Sequence, residues 1–144
     1  MFDELTVAEN IFMGHMPVNS SGMVDWPQMR ARSAELLKSI DAPIPPDYKL
    51  KRLSVAQKHL VEIARALSHE AQVVIMDEPT AALSANEIDD LFRIVAQLKA
   101  EGRAIVFISH KFDEIFRIAD DFVCLRDGEK VGDGPISSVT EAQL

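Results

Sequence analysis

Two adjacent carboxylates, Asp77 and Glu78, directly follow four apolar residues at positions 73–76. A short, continuously apolar run of this kind is typical of a buried parallel strand, and open α/β sheets bind their ligands at the carboxyl ends of such strands. Adjacent acids at that edge suit phosphoryl transfer, because one can hold Mg²⁺ while the other polarises an attacking water. A plain helix cap or turn is the alternative interpretation of the same two residues.

A second apolar run, at positions 105–108, leads to Ser109 and His110. If both runs are strands of one parallel sheet, this histidine reaches the same edge as the carboxylates. A neutral imidazole with one donor nitrogen suits contact with a phosphate oxygen, whereas the alternative is a purely structural histidine at a strand end. Three other histidines lack such a setting and are interpreted as loop or helix-surface residues: His15, His59 and His69.

A helix is predicted to begin after Ser54, because Ser54-x-x-Gln57 fits a capping box and apolar residues at helical spacing follow. The amino terminus of a helix presents free N–H groups and the positive end of the helix dipole, which together attract phosphate. The segment therefore has two interpretations: a phosphate-binding helix start, or a capping box alone.

In their order along the chain, these segments resemble the motifs of an ABC-transporter ATPase. Residues 53–57 are similar to its signature sequence, the strand ending in Asp77-Glu78 to Walker B, residues 81–84 to the D-loop, and residues 108–110 to the switch histidine. Further segments resemble the first cassette of bacterial monosaccharide importers of the ribose/rhamnose type: 5–14, 25–26, 62–67 and 107–115. The Lys58-His59-Leu60 variant is similar to the deoxyhexose branch.

The resemblance implies a role for each chemical group. Asp77 would organise Mg²⁺, Glu78 would be the catalytic base, and His110 would contact the γ-phosphate of ATP. The resemblance also implies that residues of the signature and the D-loop bind nucleotide, namely Ser54, Val55, Ala56, Gln57, Ala82 and Ser84.

Two motifs depart from the family pattern. Val55 and Ala56 replace the two glycines of the signature, and side chains there restrict how closely the backbone approaches a phosphate. Ser84 replaces the aspartate that usually ends the D-loop, although serine remains a good helix cap. Both departures lie on surfaces that serve the opposite cassette, so we expect one of the two composite ATP sites to be weakened.

None of the six glycines of the chain belongs to a G-x-x-x-x-G-K-[ST] loop, the motif that cradles nucleotide phosphates. In the family this loop lies upstream of the present Met1. The expectation is therefore an α/β fold that forms a partial P-loop NTPase (ABC ATPase) cassette. Residues 1–70 would be an α-helical signature subdomain, and residues 71–144 the carboxy-terminal part of a RecA-like core with a mainly parallel sheet.

Helix and strand patterns alternate in the order that this fold requires. Capping boxes at Thr6-x-x-Glu9, Ser54-x-x-Gln57 and Ser84-x-x-Glu87 predict three helix starts, and Asp25 predicts a fourth. Strands are expected at 73–77 and 104–108, and a hairpin around Asp127-Gly128. A helix near 111–119 is predicted to turn four apolar residues inward: Phe112, Ile115, Phe116 and Ala119.

The composition is that of an ordinary single domain of 144 residues, with 47% apolar and 26% charged residues. A net charge of −8 argues against a nucleic-acid partner. The single cysteine, Cys124, excludes an internal disulfide and fits a reducing cytoplasm. No apolar run approaches the ~20 residues that span a bilayer, and the start does not have the pattern of a signal peptide.

The predicted function is ATP-powered monosaccharide uptake, with this chain in the motor on the cytoplasmic face of the bacterial inner membrane. Permease subunits would dock on residues 2–14 through Phe2, Phe12 and Met13, a second ABC cassette would complete the ATP sites, and a periplasmic sugar-binding protein would act indirectly. The strand at 104–108 would keep one unpaired edge and pair with another copy, by edge contact or swapping. A non-transport ABC ATPase of DNA repair or translation, and a fragment inactive on its own, are the alternatives.

Overall fold

The computed structural model describes residues 1–140, which form a helical half followed by a sheet half. The helical half contains α1 (Val7–Ile11), α2 (Trp26–Ser39) and α3 (Val55–Ser68). The sheet half contains β1 (Val73–Asp77), α4 (Ala85–Ala100), β2 (Ala104–Ile108), α5 (Phe112–Ile118), β3 (Asp121–Arg126) and β4 (Glu129–Pro135). The predicted order of helices and strands is confirmed.

The helices begin where the capping residues predicted. The Glu9 N–H donates to Thr6 Oγ1 at 3.2 Å, while Glu9 Oε2 accepts from the Thr6 N–H at 2.7 Å. Asp25 Oδ1 accepts from the N–H of Gln28 at 3.0 Å and so begins α2. Helix α1 ends at Ile11, three residues before the predicted Gly14, because the chain closes a turn there, with the His15 N–H bonded to the Phe12 carbonyl at 3.0 Å.

Most of the fully buried apolar side chains lie in the helical half, in a core that continues into the sheet half through Val74, Met76 and Leu98. In the helical half, the central side chains of this core are no more than 1% exposed: Val7, Ala8, Ile11, Phe12, Met29, Leu37, Ile40, Leu50, Val61 and Ala64. Burial of such side chains from water is the largest favourable term in folding, so these residues contribute much of the stability of the fold.

The sheet half has a parallel pair of strands with only one covered face. Strands β1 and β2 are in register from Val73↔Ala104 to Asp77↔Ile108. Val74 and Met76 belong to the buried core together with the apolar side of α4. The opposite face exposes large apolar side chains, namely Val73 at 55%, Ile75 at 67%, Val106 at 45% and Ile108 at 46%.

Within residues 1–140, β2 pairs with β1 alone, and its other edge has no strand partner. This agrees with the unpaired edge expected from the sequence. An apolar strand with a free row of N–H and C=O groups can pair with another chain. Pairing with a second copy remains a prediction.

The four apolar residues predicted to face inward from α5 are not its buried residues. Phe112 is 37% exposed, and Ile115, Phe116 and Ala119 are only partly buried. The buried residue of this helix is Glu114, at 3% exposure. Apolar periodicity cannot identify a buried carboxylate, which is stable there only because polar partners reach it from elsewhere in the chain.

Strands β3 and β4 form the expected antiparallel hairpin, with a register shift between Cys124 and Leu125. Asp127 and Gly128 form its turn with φ of 53° and 81°. Two consecutive positive φ angles match the twist of a hairpin and favour an Asp-Gly pair, as the sequence indicated.

Candidate functional site

The candidate site lies at the carboxyl ends of β1 and β2. The ladder continues one residue beyond β1, where the Glu78 N–H donates to the Ile108 carbonyl at 2.9 Å. Glu78 has a φ of 48°, in the left-handed region that non-glycine residues seldom adopt. Such strain clusters at functional sites, where the surrounding structure holds the residue in place.

The structure brings Glu78 and His110 together. Glu78 Oε1 lies 2.8 Å from His110 Nδ1, across 32 residues of sequence. The side chain of His110 is 77% exposed and that of Glu78 is 35% exposed, so the pair opens to solvent on the histidine side. A carboxylate accepts hydrogen bonds only, so Nδ1 carries the proton in this contact.

The proton on Nδ1 limits what His110 can do. A neutral imidazole has one N–H, and here that N–H already donates to Glu78. His110 can therefore donate to a phosphate oxygen either as the imidazolium or after the contact with Glu78 opens. A neutral histidine that keeps this contact offers only an acceptor at Nε2.

The second carboxylate oxygen of Glu78 is buried and without a partner. Oε2 has no hydrogen bond from any group within residues 1–140. A buried, unsatisfied carboxylate oxygen is costly, and in native proteins it calls for an explanation such as a catalytic role. The lone pairs of Oε2 are therefore not committed to any described residue.

Asp77 ends β1 with an exposed side chain. Neither the hydrogen bonds nor the ion pairs of residues 1–140 involve its carboxylate, which is therefore available to a cation or to water. No group of three or more His, Cys, Asp or Glu side chains in this part of the chain could hold a metal by itself. The carboxylate of Asp77 can therefore hold Mg²⁺ only together with other ligands. This is how the ion is bound in nucleotide sites, where one or two carboxylates act with phosphate oxygens and water.

The signature segment, residues 53–57, forms its own set of hydrogen bonds. Ser54 and Gln57 form the predicted capping box, with the Gln57 N–H donating to Ser54 Oγ at 3.2 Å and the Ser54 N–H to Gln57 Oε1 at 3.0 Å. Within the described residues, no hydrogen bond or ion pair joins this segment to Glu78 or His110. Val55 is 49% exposed at the first position of α3, and Ala56 is partly buried beside it.

The loop between β1 and α4 carries the two D-loop positions. Ala82 is exposed. Ser84 is the N-cap residue of α4, and its N–H and hydroxyl both donate to Glu87 Oε2, at 2.8 Å and 2.7 Å. These two bonds to Ser84, the hydroxyl first, lower the pKa of Glu87 below its ordinary value. Ser84 therefore serves as a helix cap in this structure.

Sequence reasoning missed three polar residues beneath the site. Thr80 is fully buried, and its hydroxyl donates to Glu114 Oε2 at 2.6 Å. Lys111 Nζ donates to Glu114 Oε1 at 3.0 Å. The available signal was position: Thr80 follows Glu78 by two residues, and Lys111 follows His110 directly.

The docking surface expected within residues 2–14 is only partly present. Phe2 is 57% exposed, but Phe12 is fully buried in the core, contrary to the prediction. The aromatic ring closes the end of α1, where its face also contacts the guanidinium of Arg32 at 5.1 Å from the ring centroid. Met13 is partly buried.

His15 also differs from its predicted surface setting. Its ring packs against His69 with centroids 3.8 Å apart, and Nε2 lies 3.0 Å from Ser68 Oγ. Burial, followed by the charge of His69, lowers the pKa of His15 below its usual value. No helix in the described part of the chain has the length and apolar character to cross a membrane.

Comparison with known proteins gives a consistent picture. The model of the ABC transporter family matches residues 1–81. Ribose import ATP-binding protein RbsA 3 of Rhizobium etli is 59% identical over all 144 residues, which cover 28% of that protein. The ribose import ATP-binding protein RbsA of Jannaschia sp. (strain CCS1) is 60% identical over the same residues and is likewise covered to 28%. The chain thus spans little more than a quarter of the length of these relatives.

Solved structures share the fold. A nucleotide-free ATP-binding cassette from an ABC transporter superposes with a TM-score of 0.78 at 27% identity, over 92% of this chain and 56% of that one. Another ATP-binding cassette, in its ADP conformation, gives a TM-score of 0.77 at 27% identity, over 95% of this chain and 59% of its own.

Proposed function

The chain belongs to the ABC transporter family, and from this premise we propose that it forms part of the ATP-hydrolysing motor subunit of a bacterial sugar importer. The observation that carries the proposal is the Glu78–His110 pair, 2.8 Å apart at the carboxyl ends of two parallel strands. That edge is where α/β sheets bind nucleotides.

Glu78 is the proposed general base. Its Oε2 has no hydrogen-bond partner within residues 1–140, so its lone pairs can accept the proton of a water positioned for attack on the γ-phosphate once the site opens to that water. The hydrogen bond from His110 to Oε1 orients the carboxylate. His110 is the proposed phosphate contact, either through the Nε2–H of an imidazolium or after its contact with Glu78 opens, since most of its side chain is open to solvent.

Asp77 is the proposed Mg²⁺ residue, directly or through water. When bound, the cation neutralises charge on the phosphate oxygens, which is much of what phosphoryl transfer requires. The exposed carboxylate of Asp77, without ion-pair partners among residues 1–140, supports this role.

Nucleotide contacts from an opposite cassette are proposed for Ser54, Val55, Ala56, Gln57, Ala82 and Ser84. The Cβ atoms at Val55 and Ala56 keep a phosphate farther from the backbone than glycines would. Glu78→Gln and its counterpart in the second cassette should therefore reduce transport to markedly different extents. Equal losses would contradict a weakened composite site.

Sugar import is proposed from the relatives, both of which are named for ribose import. A pentose is thus favoured over the deoxyhexose that the sequence suggested. In this assignment residues 1–70 are the signature subdomain and residues 71–144 belong to the catalytic core. The motor is peripheral at the cytoplasmic face of the inner membrane, and Phe2 and Met13 contribute to the permease contact.

A chimera tests the proposal. This chain replaces the matching segment of the Jannaschia relative, and ATP hydrolysis and ribose uptake are measured. We expect both activities, and we expect Glu78→Gln in the chimera to lower hydrolysis by about 100-fold or more, the scale of losing a general base. Glu129→Gln, an exposed acid on β4, is the matched control.

Two results would contradict the proposal: a folded chimera without ATPase activity, or unchanged turnover after Glu78→Gln. ATP hydrolysis without uptake would instead favour a non-transport ABC ATPase. Titration of the 144-residue chain with MgATP, with Asp77→Asn as control, tests whether these residues bind nucleotide unaided. We expect no binding, since the sequence holds no glycine-rich phosphate loop.

A further inference from the structure

Beneath the candidate site, a buried carboxylate joins the two loops that carry Glu78 and His110. Glu114 lies on α5 with 4% of its side chain exposed. Its Oε2 accepts from the Thr80 hydroxyl at 2.6 Å, and its Oε1 accepts from Lys111 Nζ at 3.0 Å. Both carboxylate oxygens are therefore satisfied in a region from which water is largely excluded.

The partners of Glu114 come from both loops. Thr80 is fully buried in the loop after β1, two residues beyond Glu78, whereas Lys111 is the residue directly after His110. Lys111 Nζ also lies 3.4 Å from the Thr80 carbonyl oxygen. The two loops are thus joined through Glu78 and His110, through Glu114, and directly through Lys111 and the Thr80 carbonyl.

We infer that Glu114 is a positioning residue, which with Thr80 and Lys111 holds the loop after β1 against α5 and so fixes the contact between Glu78 and His110. A hydrogen bond from a hydroxyl to a carboxylate is short and directional, so it restricts the position of the loop more than apolar packing would. This positioning role follows from the contacts around Glu114 alone. Its consequence for catalysis rests on the function proposed above.

The backbone of Glu78 is strained. A residue at φ 48° keeps that conformation only when its surroundings hold it there. On one side the Glu78 N–H bonds to the Ile108 carbonyl. On the other, Thr80 is anchored to Glu114, so the turn between these two anchors has little freedom to relax.

The test replaces the hydroxyl of Thr80 and follows His110 by NMR. Thr80→Val keeps the shape of the side chain and removes the donor, while Thr80→Ser keeps the hydroxyl. The readout is the ¹⁵N chemical shift of the His110 imidazole in the 144-residue chain, calibrated with Glu78→Gln. We expect Thr80→Val to move the Nδ1 signal toward its position in Glu78→Gln, and Thr80→Ser to restore it.

Asp113→Asn is the control, since it removes an exposed carboxylate from the same helix. If Thr80→Val lowers the melting temperature but leaves the His110 signals at their wild-type positions, the role of the cluster is only structural and the inference is overturned. Should Thr80→Val fail to fold, Lys111→Met, at a partly exposed side chain, is judged by the same criterion.

In the chimera described above, Thr80→Val should lower kcat for ATP hydrolysis by about 10- to 100-fold with KM for ATP changed less than about twofold, as expected for a misplaced base. An unchanged kcat would overturn the catalytic consequence. An inactive parent chimera would count against the proposed function, while the NMR result would still decide the inference about position.

Discussion

The two halves of the molecule differ in how completely each one buries its apolar residues. In the helical half, Phe12 and Val61 are fully buried, whereas in the sheet half Ile75 is 67% exposed and Val106 is 45% exposed. The two halves share one buried core, but the sheet half leaves one face of its parallel strands exposed, and within residues 1–140 the outer edges of β1 and β2 have no strand partner. An open apolar face of this kind marks a surface that another part of an assembly covers.

The residues of the candidate site lie in the half with the exposed face. The Glu78–His110 pair and the cluster around Glu114 lie in the sheet half, at the ends of strands whose outer face is exposed. The helical half carries the signature segment on a well-packed helix. We therefore expect substitutions in the first half to affect folding most and those in the second to affect function most.

The largest effect is expected from truncating the same residue type in each half. Phe12→Ala should lower the free energy of unfolding by about 3–5 kcal/mol, because it leaves a cavity in the buried core. Phe112→Ala should cost under about 1 kcal/mol, since that ring is 37% exposed. Urea unfolding followed by far-UV circular dichroism, to which the helices of both halves contribute, measures both. Equal losses would refute the contrast between the halves.

A subtler pair exchanges valine for threonine. Val61→Thr places a hydroxyl in the core of the helical half and should cost about 1–3 kcal/mol. Val106→Thr places the same group on the exposed face of β2 and should change stability by no more than about 0.5 kcal/mol. Chemical denaturation followed by circular dichroism gives both values. A large loss from Val106→Thr in the monomer would mean that this face is covered after all.

Val106→Thr also tests whether copies of the chain associate through the open edge of β2. If copies associate through this edge and face, sedimentation should show association that rises with concentration and weakens in Val106→Thr. A stable monomer at all concentrations would defeat the predicted pairing between copies.

The capping boxes test whether the halves unfold together. Ser54→Ala and Ser84→Ala each remove a helix cap and should cost about 1 kcal/mol. Trp26 lies in α2, so its fluorescence reports the helical half. If the halves unfold separately, Ser54→Ala shifts the Trp26 transition and Ser84→Ala does not. Equal shifts would show one cooperative unit.

The smallest effect concerns acid. Burial and the nearby His69 lower the folded pKa of His15 below its ordinary 6.5, so the unfolded chain binds the proton more readily. The stability that neutral His15 contributes is present above pH 6.5 and is lost as pH falls through the folded pKa. The Trp26 transition should weaken accordingly, and His15→Gln should remove this dependence above pH 4.5. Below that value Glu9, whose pKa is lowered mainly by the Thr6 hydroxyl, adds a second loss.

The sequence by itself determined the elements. Capping boxes at Thr6, Ser54 and Ser84 predicted helix starts that the structure confirms, because a cap depends on groups only three residues apart. Apolar runs predicted both parallel strands, and their order placed Glu78 and His110 at one sheet edge. These features depend on spacing along the chain, which can be read without a fold.

Only the tertiary structure decided the contacts between distant segments. The burial of Glu114 depends on Thr80, 34 residues away, and the exposure of Phe112 depends on what packs beside α5. Apolar periodicity predicted that Phe112 would be buried, and it gave no indication that Glu114 would be. A carboxylate is stable inside a protein when its partners arrive in the right geometry, and a phenylalanine is buried only when a neighbour covers it, so neither outcome can be read from local spacing.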